Sequence, residues 1–491
     1  MNSSTRKLTP RRGFSSQKRK DAKPADPEET AKPTTSNKRS LTFAIGGVLT
    51  LLGVASYTFS LRQTDPLTAN VPTAGLSTVG VPTTTVSTTT ATQSKVLETL
   101  QSVEKKRAEA RQKLDKLTYK ERREEARKLG LLTEEEVDAI LHAKEKSWCT
   151  GGDPLRLRID TNQVSSNNPI EDYLAWDELV PAKQDGVPRY MFGVFDGHAG
   201  YMCAEQIAQR IGPMLNQSLA LVKQAEAAGD DASQLAGTVR QLTKEAGLDW
   251  DHMALALTAT FINMDRELVH NALAEFRRSQ DLSRIDELLG PAVSGSCGLV
   301  AVVDGAAREV VVANTGDSRA LLGVQLADGR WKAVRLSEDQ TADNRQELAR
   351  LAREHPGEAV IKKNRVLGGL MPTRAFGDSR YKWTLETQQD LFPVLRPRGH
   401  RYATTPENFL SPPYVTARPV IVRHKLADTD KFIVIASDGL YDQLSDAEVV
   451  DTVAQWYEAQ HKPEGSSLAT PDENAATHLI RTALSTDRLG R

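Results

Sequence analysis

The sequence predicts an α+β domain, antiparallel sheet layered against helices, carried behind a long non-globular front. Three observations predict it. Beyond Asp153, short apolar runs close on Asp-Gly or Gly-Asp corners. One pair of runs, Leu299 to Val303 and Val310 to Ala313, flanks Asp304-Gly305 as a hairpin. Helical stretches at 201–224, 254–279 and 343–354 lie between the runs and do not alternate with them, which argues against a βαβ array.

The chain has 491 residues, room for about three domains at roughly 150 residues each, and its 39% hydrophobic content can supply a core. With 63 Lys+Arg against 64 Asp+Glu the net charge is -1, which excludes attraction to nucleic acid through bulk positive charge. Cys149, Cys203 and Cys297 are few, scattered and lack a Cys-x-x-Cys spacing, so neither a disulfide framework nor a zinc cluster is expected.

Residues 1–40 carry Arg6, Lys7, Arg11, Arg12, Lys18, Arg19 and Lys20 before the first acid, Asp21. Basic, hydroxyl-rich and acid-poor is the composition of a mitochondrial targeting segment; a solvated basic tail is the plainer alternative. Residues 41–61 (LTFAIGGVLTLLGVASYTFSL) hold no charge and could reach about 30 Å as a helix, so a single transmembrane helix is expected there. The basic flank precedes it, which puts the body across the membrane from the N-terminus. In a mitochondrion this is an inner-membrane anchor, with matrix and intermembrane-space sides both open. Residues 62–94 are Thr- and Pro-rich and read as an extended linker.

Residues 95–146 turn charged and helical. Thr133 and Glu136 form a capping box ahead of Val137, Ile140 and Leu141, and the segment is assigned no chemistry. The body, 147–491, is where acids gather at strand ends. Tyr190 to Phe195 runs into Asp196-Gly197-His198, Phe432 to Ala436 into Ser437-Asp438-Gly439, and Val310 to Ala313 into Asn314-Thr315-Gly316-Asp317. One such corner is more often a turn than a ligand. Several together, on rigid strand ends with glycine alongside, suit a cation site, and acids without enough His or Cys favour Mg²⁺ or Mn²⁺ over zinc. His198 beside Asp196 is a candidate acid/base.

These motifs carry a resemblance. FGVFDGHAG (192–200), ANTGDSRALL (313–322) and IASDGL (435–440) occur in the order of the metal-dependent type 2C protein serine/threonine phosphatases. NNPIED (167–172), RVLGGLMPTRAFGDSRYKW (365–383) and PPYVTARP (412–419) look like the pyruvate dehydrogenase phosphatase branch. The similarity covers roughly residues 130–485. It implies a four-layer α-β-β-α sandwich of two antiparallel sheets flanked by helices, with a metal pair at one edge. Carried over by position, Asp196 resembles the carboxylate bridging two Mg²⁺ or Mn²⁺ ions. The Gly197 carbonyl and Glu171, through water, would hold the first ion and Asp438 the second. Asp317 would share a third, weaker ion with Asp438, and His198 would be the general acid. That set suits hydrolysis of a phosphate monoester, in which a poor leaving alkoxide gains from a delivered proton.

Two departures stand out. Many members have an Arg four residues before the metal-linked Glu, gripping the substrate phosphate; here it is Asn167, usual for the pyruvate dehydrogenase branch. Members also close on a strand preceded by Asp-Asn or Asp-Asp, whereas Asp487 is followed by Leu-Gly-Arg. A ligand and an inner strand would then be missing, leaving a sheet edge uncovered. A truncated gene product, a metal-poor inactive relative, or a ligand from elsewhere would each explain this.

The expectation is a mitochondrial, membrane-anchored phosphatase that dephosphorylates and activates the pyruvate dehydrogenase complex, with no nucleic-acid partner. The alternative is an impaired type 2C pseudophosphatase that binds a phosphoprotein without hydrolysing it. A helical membrane adaptor centred on 95–146 leaves the strand-end acids unexplained.

Overall fold

Along the run Tyr190 to Phe195, Phe192 and Val194 fall on one face while Met191 and Phe195 fall on the other, and all four are buried. A strand apolar on both faces needs a layer against each. In the computed structural model, which describes residues 54–62, 102, 105, 134–152, 155–165, 168–179, 189–227, 252–460 and 472–485, that is what surrounds it.

In chain order the elements are β1 (Val54–Arg62), α1 (Glu134–His142), β2 (Lys146–Gly152), β3 (Leu155–Val164), β4 (Tyr173–Leu179) and β5 (Arg189–His198). There follow α2 (Met202–Ala227), α3 (His252–Arg266), α4 (Ala272–Ser279), α5 (Ile285–Val293), β6 (Gly295–Asp304), β7 (Glu309–Thr315), β8 (Arg319–Gln325) and β9 (Trp331–Arg335). The last part holds α6 (Arg345–Glu354), α7 (Leu385–Leu395), β10 (Val420–Lys425), β11 (Asp430–Ala436), α8 (Asp446–Gln460) and α9 (Ala475–Ala483).

One sheet has the order β2-β3-β1-β11-β8-β9 and the other β10-β7-β6-β5-β4, antiparallel throughout. Between them Phe192, Val194, Leu299, Ala301, Ile433 and Ile435 form an inner core. Outside the second sheet, Met191 and Phe195 meet Ile207, Ile211 and Leu215 of α2 and Phe261 of α3. Outside the first, Phe432 and Val434 meet Val449 and Val453 of α8 with Leu479 and Ile480 of α9. The expected α-β-β-α layering is therefore present. A satellite cluster of Leu351, Val366, Leu370 and Tyr414 lies in the irregular segment between β9 and β10.

The helix expected from the capping box begins at Glu134, buries Val137 and Leu141, and ends with the Leu141 carbonyl accepting from Asn162 Nδ2 at 2.6 Å. It stops at His142, and Lys146 already belongs to β2. The targeting segment 1–40, the linker past Arg62 and most of 95–133 lie outside the described residues.

The predicted transmembrane helix over 41–61 needs correction. Residues 41–53 lie outside the described residues, but Val54–Arg62 is a strand, paired antiparallel with β3 on one side and β11 on the other. Among the described residues no helix is long and apolar enough to cross a membrane. The physical reason is that an uncharged run satisfies either environment, while Val54, Tyr57, Thr58 and Phe59 are β-branched or aromatic residues that favour extended backbone. The bare inner edge expected from a missing strand is also absent, because β1 fills the place between β3 and β11.

Candidate metal centre

The acids converge from both sheets at one end of the sandwich. Asp196 lies near the end of β5, held by register against Cys297 of β6. Asp317 follows β7 after a tight turn at Gly316, and Asp438 follows β11 at the start of a short helix, Asp438–Tyr441. Carboxylate oxygens of Asp196, Asp317 and Asp438 all lie within 4.8 Å of one another. Oxygen donors at that spacing, on elements fixed by strand pairing, can share a hard divalent cation.

Glu171 stands at the same end, its Oε1 accepting from the Gly200 amide at 2.9 Å. Gly197 is required where it is: a Cβ there would run into the Glu171 carbonyl oxygen. Of the residues singled out from sequence, Asp196, Gly197, Asp317, Asp438, Glu171 and His198 thus share one corner. Asn167 and Asp487 lie outside the described residues.

The charges show what the corner lacks. Burial, then the charges of Asp172, Asp438 and Asp317, push the Asp196 carboxyl well above its ordinary range. Burial and the neighbouring Asp317 and Asp442 push Asp438 up to about 7, and burial raises Asp317 as well. Buried carboxyls that push one another towards their protonated forms make a site complementary to a metal ion. The Cys297 thiol, kept protonated by burial and by Asp317, donates to Asp317 Oδ1 at 3.0 Å.

Two residues of the corner escape a reading of the sequence. Asp172 is buried, is pushed up to about 7 by burial first and by Glu171 among its neighbours, and keeps Oδ2 without a hydrogen-bond partner among the described residues. An orphaned buried carboxylate oxygen beside three others fits a cation or its water shell. The signal available was its adjacency to Glu171. Asp378 is the second. Its Oδ2 lies 2.8 Å from His198 Nε2, and it sits in left-handed backbone (φ 50°) with its amide donating to the Ser294 carbonyl at 2.9 Å. Gly295, opposite His198 in the β5–β6 register, leaves the space: a Cβ there would overlap both His198 Nε2 and Asp378 Oδ2. Burial alone would lower the His198 pKa; Asp378, with Asp317 and Glu171, outweighs it and holds the imidazole above its ordinary value.

The family model described as Protein phosphatase 2C matches residues 165–488. A protein phosphatase 2C homolog of Schizosaccharomyces pombe is 36% identical over 349 residues, covering 67% of this chain and 73% of that one. The mitochondrial [pyruvate dehydrogenase [acetyl-transferring]]-phosphatase 1 of Saccharomyces cerevisiae is 31% identical over 409 residues, 72% of this chain and 67% of that one. Its human namesake is 32% identical over 423 residues, 73% and 77% of the two chains.

Proposed function

The chain belongs to the protein phosphatase 2C family, and from that premise we propose a Mg²⁺- or Mn²⁺-dependent enzyme that dephosphorylates serine on the pyruvate dehydrogenase complex in mitochondria. Protein serine/threonine phosphatase activity comes with the family. The substrate and compartment rest on what the relatives are named for and on the basic, acid-poor segment 1–40, which suits mitochondrial targeting. The body 147–491 is the catalytic unit.

The observation that carries the site assignment is the meeting of Asp196, Asp317 and Asp438 oxygens within 4.8 Å, next to His198. Asp196 would bridge two ions, the Gly197 carbonyl and Glu171 through water would complete the first, Asp438 the second, and Asp317 with Asp438 a third, weaker one. Asp172, with its unpartnered Oδ2, would help to hold the ions' water. When bound, such ions supply a water acidified towards hydroxide and neutralise the phosphoryl oxygens. His198, with Nε2 committed to Asp378, presents Nδ1 to the departing serine oxygen and delivers the proton that makes an alkoxide a tolerable leaving group. Asp378 is a positioning residue in this scheme. Asn167 replaces a bidentate cation, so the phosphate relies on the ions for its grip.

The test is hydrolysis of phosphoserine peptides by the purified chain. Turnover should require Mg²⁺ or Mn²⁺ and vanish in Asp196→Asn. Metal-independent turnover, or an active Asn variant, would refute the mechanism. Calorimetric Mn²⁺ binding without turnover would favour a phosphoprotein-binding module instead.

A further inference from the structure

A groove of about 570 Å³ lies where α6, the segment 413–419 and the start of β10 meet, and it shares no lining residue with the acid corner. Four arginines line it, Arg350, Arg353, Arg374 and Arg418, against one acid, Glu354. We propose that this groove takes an anionic side chain of the protein substrate, phosphorylated or carboxylate, a few residues away from the serine being dephosphorylated; this rests on the phosphatase assignment above.

The charge balance points outward to a ligand. Beneath the groove Glu347 is buried and shared: Arg374 Nε and Nη2 donate to it at 3.0 and 2.6 Å, Arg350 Nε and Nη2 at 3.1 and 2.9 Å. Burial works against the Glu347 charge, but these two guanidiniums outweigh it and hold the carboxyl at about 2, so it stays ionised. Glu354 answers Arg350 at 2.7 Å. Arg350, Arg353 and Arg374 therefore face two carboxylates. Arg353 is exposed and makes no hydrogen bond or ion pair among the described residues. Arg350 and Arg374 cannot swing away to solvent, because Thr373 and Arg418 carbonyls also hold them, at 3.0 and 2.7 Å. Pre-set, weakly hydrated forks of this kind match phosphate and carboxylate oxygens.

The placement suits a peptide. Arg374 precedes Asp378, the partner of His198, by four residues, so the two Cα atoms are no more than about 14 Å apart. An extended peptide covers that distance in about four residues. Val420 and Ile421 in the groove open β10, which among the described residues is the edge strand of its sheet and so offers a line along which such a segment can lie.

The test uses the full chain with Mn²⁺ and phosphoserine peptides carrying either glutamates or alanines three to five positions to each side. Wild type should show a KM about fivefold lower for the acidic peptide, with kcat alike. Arg353→Glu should abolish that difference while leaving the alanine peptide and p-nitrophenyl phosphate unaffected. Anisotropy of the matching unphosphorylated peptides in EDTA reads the groove without turnover and should show the same preference. Equal binding of the two peptides by wild type, or a preference that survives Arg353→Glu, overturns the groove alone. Inorganic phosphate that competes as tightly as the acidic peptide makes the ligand a free anion and overturns it too. Absent turnover of p-nitrophenyl phosphate by wild type overturns the phosphatase assignment, and this inference with it.

Discussion

Removing one carboxylate of the acid corner should stabilise the metal-free protein at alkaline pH. Asp438 is held at about 7 in the folded chain against an ordinary 3.8. Between those values the folded state keeps a proton that the unfolded chain has released, so stability falls as pH rises through the window and the loss is complete above about 7. About three pK units at 1.36 kcal/mol each give roughly 4 kcal/mol, or about 2–4 kcal/mol once screening at a partly exposed carboxyl is allowed for. In a catalytic body of this size that is roughly 3–6 °C in Tm. Asp172 titrates in the same range but is coupled through Asp196, so its contribution does not simply add. Thermal melts in EDTA at pH 5 and pH 8 compare wild type with Asp438→Asn. Wild type should lose more on going to pH 8, leaving the variant the more stable of the two. Saturating Mn²⁺ should reverse that order, because the variant has lost a ligand. A variant less stable than wild type at pH 8 in EDTA, or a wild-type Tm indifferent to pH, would show that the corner carries no uncompensated charge.

Three further outcomes follow from the geometry. Asp378→Asn removes the charge that raises His198, so the alkaline limb of the kcat–pH profile should move to lower pH, with activity above it down about tenfold. Gly295→Ala places a methyl where His198 Nε2 and Asp378 Oδ2 meet; kcat should fall by about 10–100-fold with little change in KM or in the unfolding midpoint. Glu347→Ala leaves Arg350 and Arg374 facing each other around a buried void, and denaturant unfolding should register a loss of about 3–5 kcal/mol.

The layers were legible because several buried strands are apolar on successive residues and run into an Asp–Gly pair, as in Phe195-Asp196-Gly197 and Ala436-Ser437-Asp438-Gly439. The metal corner was legible for the same reason, since strand ends cannot wander. Asp378 was not, because its role depends on pairing with a histidine 180 positions earlier, and nothing local to Gly377-Asp378 distinguishes it from a turn. Asp172 was hidden by its neighbour: from sequence, one acid of Glu171-Asp172 points to the site as well as the other. The segment 54–62 was misassigned because hydropathy reports the absence of charge, not the identity of the apolar surroundings.

The seat of β1 has a kinetic consequence. Ser56 pairs with Ala436, about 380 positions downstream, and closing a loop of that length costs about 5 kcal/mol of chain entropy by the logarithmic rule. The sheet from which Asp438 projects can thus be completed only after β11 has been synthesised, by a strand that precedes the phosphatase motifs. Until Val54–Arg62 is seated, β3 and β11 lack the neighbour they share, so the strand that presents Asp438 is completed by residues made long before it.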